Sequence, residues 1–246
     1  MADKAVALGL SALTFTDHID IDGYFGSDYR QSELMPEGVA QIRPLKEEYE
    51  GRIKIGLGAE IGQFMHRPEL ARSLIADFGL DYIIGSAHSV RGDDDFYYFN
   101  CEKDPEKLLR QYFEEILEMT ENADIDVIGH LTYPLRYITG RCSIEIDMNG
   151  YGELIRRTFT AAAQRGLGLE INTQGLRKRE YGKADPGIEY VKLFRETGGE
   201  IITVGSDAHS AADIAANFKE GKDIAEAAGF KRIAYYENRK PVFINI

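Results

Sequence analysis

The run Ile201-Ile202-Thr203-Val204-Gly205-Ser206-Asp207-Ala208-His209 reads as a short β-strand that ends in small residues and then in two side chains able to bind a metal ion. The pattern recurs along the chain. Thr16-Asp17-His18 follows Ala12-Leu13-Thr14-Phe15, and Gly58-Ala59-Glu60 follows Arg52-Ile53-Lys54-Ile55. Gly85-Ser86-Ala87-His88 follows Tyr82-Ile83-Ile84, and Gly129-His130 follows Asp126-Val127-Ile128. Four of the five histidines sit in this one context, and Glu170-Ile171-Asn172 closes a further strand with polar residues.

Between these strands the sequence predicts helices: Ala2 to Leu8 with Gly9 as a left-handed cap, Glu37 to Tyr49, Arg67 to Phe78, Asp104 to Asn122, Asn149 to Arg165, Pro186 to Thr197 and Ala211 to Ala228. The opening helix has no Ser, Thr, Asp or Asn ahead of it as a cap. Ile19 to Pro36 and Gly92 to Glu102 read as long polar loops, and Arg232 to Tyr236 as a last strand. Strict strand–helix alternation implies parallel strands joined by right-handed crossovers, in a barrel or an open sheet. An open sheet would place its chemistry at one crevice, usually beside a Gly-rich phosphate turn, and no such turn occurs here. Metal-competent residues at the ends of many strands suit the C-terminal mouth of a barrel instead.

The chain has 246 residues, enough for one barrel-sized domain, and 43% of them are hydrophobic, as in an ordinary packed core. A formal charge of -12 argues against a nucleic-acid partner but not against a small anionic substrate. No stretch approaches the ~18 apolar residues of a membrane span, and no signal peptide is evident. Cys101 and Cys142 lack CxxC spacing, so neither a disulfide nor a thiolate site is expected, and a reduced, cytoplasmic setting is the simplest inference.

His18, Glu60, His88, His130, Asp207 and His209 make up four imidazoles and two carboxylates without sulfur, a set suited to Zn, Mn or Fe. Six ligands exceed one tetrahedral site, so two or three divalent ions are expected, with Glu60 as a bridge between two of them. A single histidine after a strand is more often structural. Four at the same end of four strands reverse that expectation. His66 lacks this context and is assigned a structural role.

The ordered motifs resemble the polymerase and histidinol phosphatase superfamily. They are Thr16-Asp17-His18, Gly58-Ala59-Glu60, Gly85-Ser86-Ala87-His88, Gly129-His130, Glu170-Ile171-Asn172-Thr173 with Gly175-Leu176-Arg177, and Ser206-Asp207-Ala208-His209. The Asn-Thr-x-Gly-Leu-Arg segment is similar to its histidinol-phosphate phosphatase branch. The resemblance implies a distorted (β/α)7 TIM-like barrel over residues 1–246 as a single domain, with a trinuclear centre that hydrolyses a phosphate monoester, histidinol phosphate above all. It implies that Glu60 bridges the first and second ions, that His88 and His130 complete the second, that Asp207 binds the first, and that His18 and His209 hold the third. The family pattern also has an His-x-His pair on a first strand, and this chain shows none. By the resemblance the first strand is therefore lacking, so that the domain is expected to open at that seam, to cover it with Pro241 to Ile246, or to self-associate there.

For the chemistry, metal ions would polarise the phosphoryl oxygens and acidify a water, with His209 or Asp17 as proton donor to the leaving group. Arg136, Arg177 and Asn172 are the expected phosphate contacts, with Lys178 and Arg179 as competitors. Two alternatives stand beside the phosphatase: a catalytically impaired binding or regulatory barrel, and a metal-dependent hydrolase of another phosphoester or of a C-N bond.

Overall fold

The computed structural model describes residues 1–22, 31–93 and 95–246. After α1 (Ala2–Ala7), the nine-residue strand β1 (Ala12–Asp20) pairs in parallel with β2 (Lys54–Gly62), with Ala12 opposite Lys54 and His18 opposite Glu60. Then β3 (Tyr82–Ser86), β4 (Val127–Ile128), β5 (Gly168–Asn172) and β6 (Ile202–Gly205) follow, each parallel to its predecessor and beside it in the sheet. Helices α2 (Gln31–Glu48), α3 (Pro68–Phe78), α4 (Pro105–Asn122), α5 (Gly152–Arg165), α6 (Ile188–Glu196) and α7 (Phe218–Ala227) make the crossovers. Strand order equal to chain order is what successive right-handed crossovers produce when a sheet curls toward a barrel.

The apolar patterning explains the layers. Strand residues such as Ile19, Leu57, Ile61, Ile83, Ile128, Leu169 and Ile171 face the helices and form one continuous core with Leu109, Phe113, Phe159 and Phe194. The opposite faces line the lumen, where Tyr82, Ile84, Val127 and Tyr236 form a smaller cluster. Asp104 caps α4 by accepting from the Glu106 amide, and Pro105 takes the first turn. Helix α2 starts at Gln31 rather than Glu37 and carries Pro36 and Pro44 within it, so proline was a poor marker of its start. The rest of the predicted loop, residues 23–30, lies outside the described residues.

The closing of the barrel departs from the expectation. The segment Arg232–Glu237 (β7) does not join the parallel sheet but forms an antiparallel hairpin with β8 (Lys240–Asn245). Among the described residues no strand pairs with the outer edge of β1. Between that edge and the β6–β7–β8 side lies a cavity of about 670 Å³, lined by Leu10, Thr14, Thr203, Tyr236 and Ile246 and running up to His18, Asp207 and His209. The parallel sheet is therefore a curled half-barrel, open along this seam.

Two further sets of partners were not legible in the sequence. Cys101 and Cys142 are joined in a disulfide with Cα atoms 5.3 Å apart, which corrects the expectation of two lone thiols. They are separated by 41 residues, and only the folding of the Gly92–Glu102 loop onto the turn Arg136–Arg141 brings them together. His66 has the structural role assigned to it: Nδ1 lies 2.6 Å from Asp22 and Nε2 2.7 Å from Glu115, tying the end of β1 to α4.

That clamp has a pH signature. Burial alone would lower the His66 pKa, but the hydrogen bonds and charges of Asp22 and Glu115 raise it to about 9. Because the folded value exceeds the unfolded one of ~6.5, the stabilisation is complete below that pH and is lost as pH rises through about 9. With Asp22 half exposed and screened, the loss is expected to be on the order of 2 kcal/mol. Urea unfolding at pH 7 and pH 10 checks this: His66→Gln should lose less stability over the range than the wild type, and equal losses would refute the clamp.

Candidate metal centre

Strand phase places the donors. His18 and Glu60 are register partners on adjacent parallel strands, so both side chains project to the lumen, with His18 Nδ1 3.6 Å from Glu60 Oε2. Just past β3 and β4, His88 and His130 turn onto the same carboxylate. Glu60 Oε1 lies 3.0 Å from His88 Nε2 and 2.7 Å from His130 Nε2, and the two ring nitrogens are 3.3 Å apart. All three residues are at most 6% exposed. Two imidazole nitrogens facing each other and one carboxylate oxygen at these distances make a ligand set closed around a point, which fits a divalent cation of the Zn, Mn or Fe class.

The partner on the far side of His88 supports the same fit. Its Nδ1 lies 2.7 Å from Asp20 Oδ1, an arrangement that turns the Nε2 lone pair toward Glu60 once Nδ1 carries the proton. A Cβ at Gly62 would run into the Asp20 carboxylate, so glycine at that position leaves the room Asp20 needs. Without an ion the cluster balances its own charge. Burial opposes the ionised Glu60, but His18, His130 and His88 outweigh it and hold the carboxyl well below its usual range. Burial likewise opposes a charged His88, yet Asp20 and Glu60 hold its pKa well above the ordinary imidazole value.

A second group adjoins the first. His18, Asp207 and His209 each offer a ligand atom within 4.8 Å of the others, as do His18, Glu60 and His88, so His18 stands between the two groups. The His18 and His209 rings are 5.7 Å apart, and His209 Nδ1 lies 3.4 Å from Asp207 Oδ1. Exposure rises toward the mouth, from 13% for the Asp207 side chain to 35% for His18 and 64% for His209. Asp207 has φ of 49°, a left-handed conformation that non-glycine residues adopt at a cost of about 1–3 kcal/mol and that recurs at functional sites. Asn172 Nδ2 reaches Asp207 Oδ2 at 3.3 Å.

Two expected site residues are placed otherwise than as exposed groups at the mouth. Asp17 is on the alternate face of β1 from His18, and its carboxylate packs where a Cβ of Gly38 in α2 would be, so it does not share the lumen with His18. Burial raises its pKa there. Arg136 is 3% exposed, and its guanidinium is bonded within the protein. Its Nε donates to Asp185 (2.5 Å), Nη1 to Gln174 (2.7 Å) and Nη2 to Asn172 (3.0 Å), while Nη1 also stands 3.7 Å from Asp207. Asp185 arrives from the loop after β5 through a bridge with Asn172, a pairing that spacing from His130 could not reveal. Arg177 is placed differently. Nη2 donates to the Ser206 and Asp207 carbonyls, Nε is 3.6 Å from Asp213, and Nη1 has no hydrogen-bond partner among the described residues.

Asp20 and Glu170 are functional candidates that motif reasoning missed. Each lies two residues from a named candidate, His18 or Asn172, and so shares its face by strand alternation. That signal was present and unused. Glu170 lies beneath the centre, accepts from the His130 amide (3.1 Å), and is pushed up to about 7 by burial. A Cβ at Gly205 would collide with its carboxylate.

Comparison with known proteins comes to the same place. The PHP domain family matches residues 1–174. A histidinol-phosphatase of Lactococcus lactis is 31% identical over 246 residues, covering 96% of this chain and 87% of the relative. A histidinol-phosphatase of Bacillus subtilis is 26% identical, covering 87% of each chain. The crystal structure of histidinol phosphate phosphatase from Lactococcus lactis, complexed with Zn, L-histidinol and phosphate, superposes with a TM-score of 0.80 at 27% identity, over 98% of this chain and 90% of that one.

Proposed function

The chain belongs to the PHP domain family, and from that premise we propose that it hydrolyses a small phosphate monoester, histidinol phosphate, to histidinol and inorganic phosphate, as a step of histidine biosynthesis. The observation that carries this reading is the convergence of His88 Nε2, His130 Nε2 and Glu60 Oε1 on one buried point beside the His18–Asp207–His209 group. Glu60, His88 and His130 would hold one ion, and His18, Asp207 and His209 the next. Two to three ions in all accord with the donor count. When bound, such ions supply Lewis acidity toward the phosphoryl oxygens and acidify a coordinated water.

The chain's own residues do the rest. Arg177 Nη1, buried and without a hydrogen-bond partner among the described residues, is the donor left for a phosphate oxygen, while Asn172 contacts Asp207. Arg136 holds Asn172 and Asp207 in place from beneath. Asp20 orients His88. His209, 64% exposed, is the ligand of the set most open to solvent, from which the leaving alkoxide takes its proton. The same reading includes a cytoplasmic setting, inferred from the substrate and no longer from the cysteines, and self-association along the open edge of β1. No helix of the described residues is long and apolar enough to cross a membrane.

Metal analysis of the purified chain together with phosphatase assay on histidinol phosphate tests the proposal. Arg177→Ala is expected to raise KM about 10- to 100-fold, the loss of one charge-assisted contact. Bound metal without turnover on any phosphomonoester would favour the impaired binding barrel, a reading to which the open seam beside β1 lends support.

A further inference from the structure

Beyond the metal ligands, an aromatic wall leads from the centre to the surface. The Tyr133 ring lies 5.0 Å from the rings of both His88 and His130. Tyr137 follows at 5.2 Å, Tyr97 at 5.8 Å from Tyr137, and Tyr98 at 5.0 Å from Tyr97. Tyr97 and Tyr98 are 54% and 73% exposed and carry the wall to the surface. At the polar tips of this wall sits Asp95. Its Oδ1 accepts from the Tyr133 hydroxyl (2.9 Å) and the Tyr97 amide (2.7 Å), and the Tyr137 hydroxyl is 3.3 Å from that of Tyr133. Among the described residues no Lys, Arg or His pairs with Asp95, and its Oδ2 makes no hydrogen bond.

We propose that Asp95, backed by Tyr133, Tyr137 and Tyr97, is a specificity-determining residue that receives the cationic part of the leaving group. The proposal rests on the phosphomonoesterase reading above. With the phosphate end at the ions and Arg177, the alcohol end must leave the centre along one of its walls. Histidinol carries a primary amine and an imidazole, and a carboxylate framed by ring faces attracts such cations. The rings already show this preference: Arg141 stands 5.2 Å over Tyr137 and Arg136 5.3 Å over Tyr133. Each occupies one face, and Asp95 Oδ2, without a hydrogen-bond partner among the described residues, is the seat left for a further cation.

The position is rigidly held. The Phe96 amide donates to the His88 carbonyl (2.9 Å), and Arg141 donates to the Tyr97 and Phe99 carbonyls. The Cys101–Cys142 bridge ties the same loop to the turn that carries Tyr137. Asp95 is thereby fixed relative to a metal-facing histidine, and little ordering is left to be done on binding.

The test compares histidinol phosphate with glycerol phosphate, whose leaving group is neutral, using the full metal-loaded chain. Asp95→Asn retains an oxygen acceptor for Tyr133 and Tyr97, removes the charge and puts an amide donor in place of Oδ2. Its KM for histidinol phosphate is expected to rise about tenfold, with kcat, the KM for glycerol phosphate and the melting temperature unchanged. Tyr137→Leu should raise the same KM about threefold. Equal effects on both esters, or none on either, would overturn the proposal and leave Asp95 as a loop anchor. Calorimetry with histidinol alone keeps the inference separable from the phosphatase reading. If no ester turns over, that reading fails, and a Kd for histidinol that is the same in wild type and Asp95→Asn overturns this one as well.

Discussion

Glu60→Gln is expected to strip the centre of its buried ion and to lower phosphatase turnover by about 10³-fold, the scale seen when one preorganised electrostatic group is removed. The reason is geometric. One oxygen of Glu60 faces both His88 Nε2 and His130 Nε2, while the other approaches His18, so a single side chain joins the two ligand groups. Glutamine keeps the shape but brings one neutral oxygen and one amide donor, and a donor aimed at a cation is repelled. Elemental analysis after dialysis, paired with turnover on histidinol phosphate and a circular dichroism check of folding, measures the effect. Full metal content in the folded variant would show that the ion sits elsewhere and would end the assignment of Glu60 as bridge.

Arg136→Met is expected to act on stability far more than on substrate binding. All three guanidinium nitrogens are bonded inside the protein, and Asp185, at 0% exposure, receives Arg136 together with the Thr132 and Tyr181 hydroxyls. Removing the arginine leaves a buried carboxylate without its counter-charge, a change that typically costs about 3–5 kcal/mol. Replacing both partners, Arg136→Met with Asp185→Leu, should recover a good part of that loss, because the burial penalty of the second charge disappears with it. Denaturant unfolding of the single and double variants decides the matter. A single variant of full stability with a raised KM would mean that Arg136 works on the phosphate after all.

The alternation of strands and helices was legible because each strand is a short apolar run and each crossover helix carries a buried stripe, both local properties of the chain. The strand-end placement of His18, Glu60, His88, His130, Asp207 and His209 was legible for the same reason. In a parallel sheet the C-terminal ends of all strands share one rim, so residues far apart in sequence are placed together by topology alone. Strand phase also carried more than was taken from it, since Asp17 and His18 must face opposite sides and Asp20 must share the side of His18.

What the sequence could not disclose are pairings made by loop side chains with other loops and with helices. Asp185 captures Arg136, Asp22 and Glu115 hold His66, and Cys101 meets Cys142 through contacts whose partners lie tens of residues apart with no periodic pattern linking them. The same holds for β7, whose apolar alternation suits a barrel strand as well as a hairpin. Backbone pairing with β8 decided between them, leaving the seam beside β1 open. Local propensity and phase specify each element and the face it presents. Which loop side chains meet across the rim is set by the packed backbone, because only there do the distances fall to those at which charge and hydrogen bonding act.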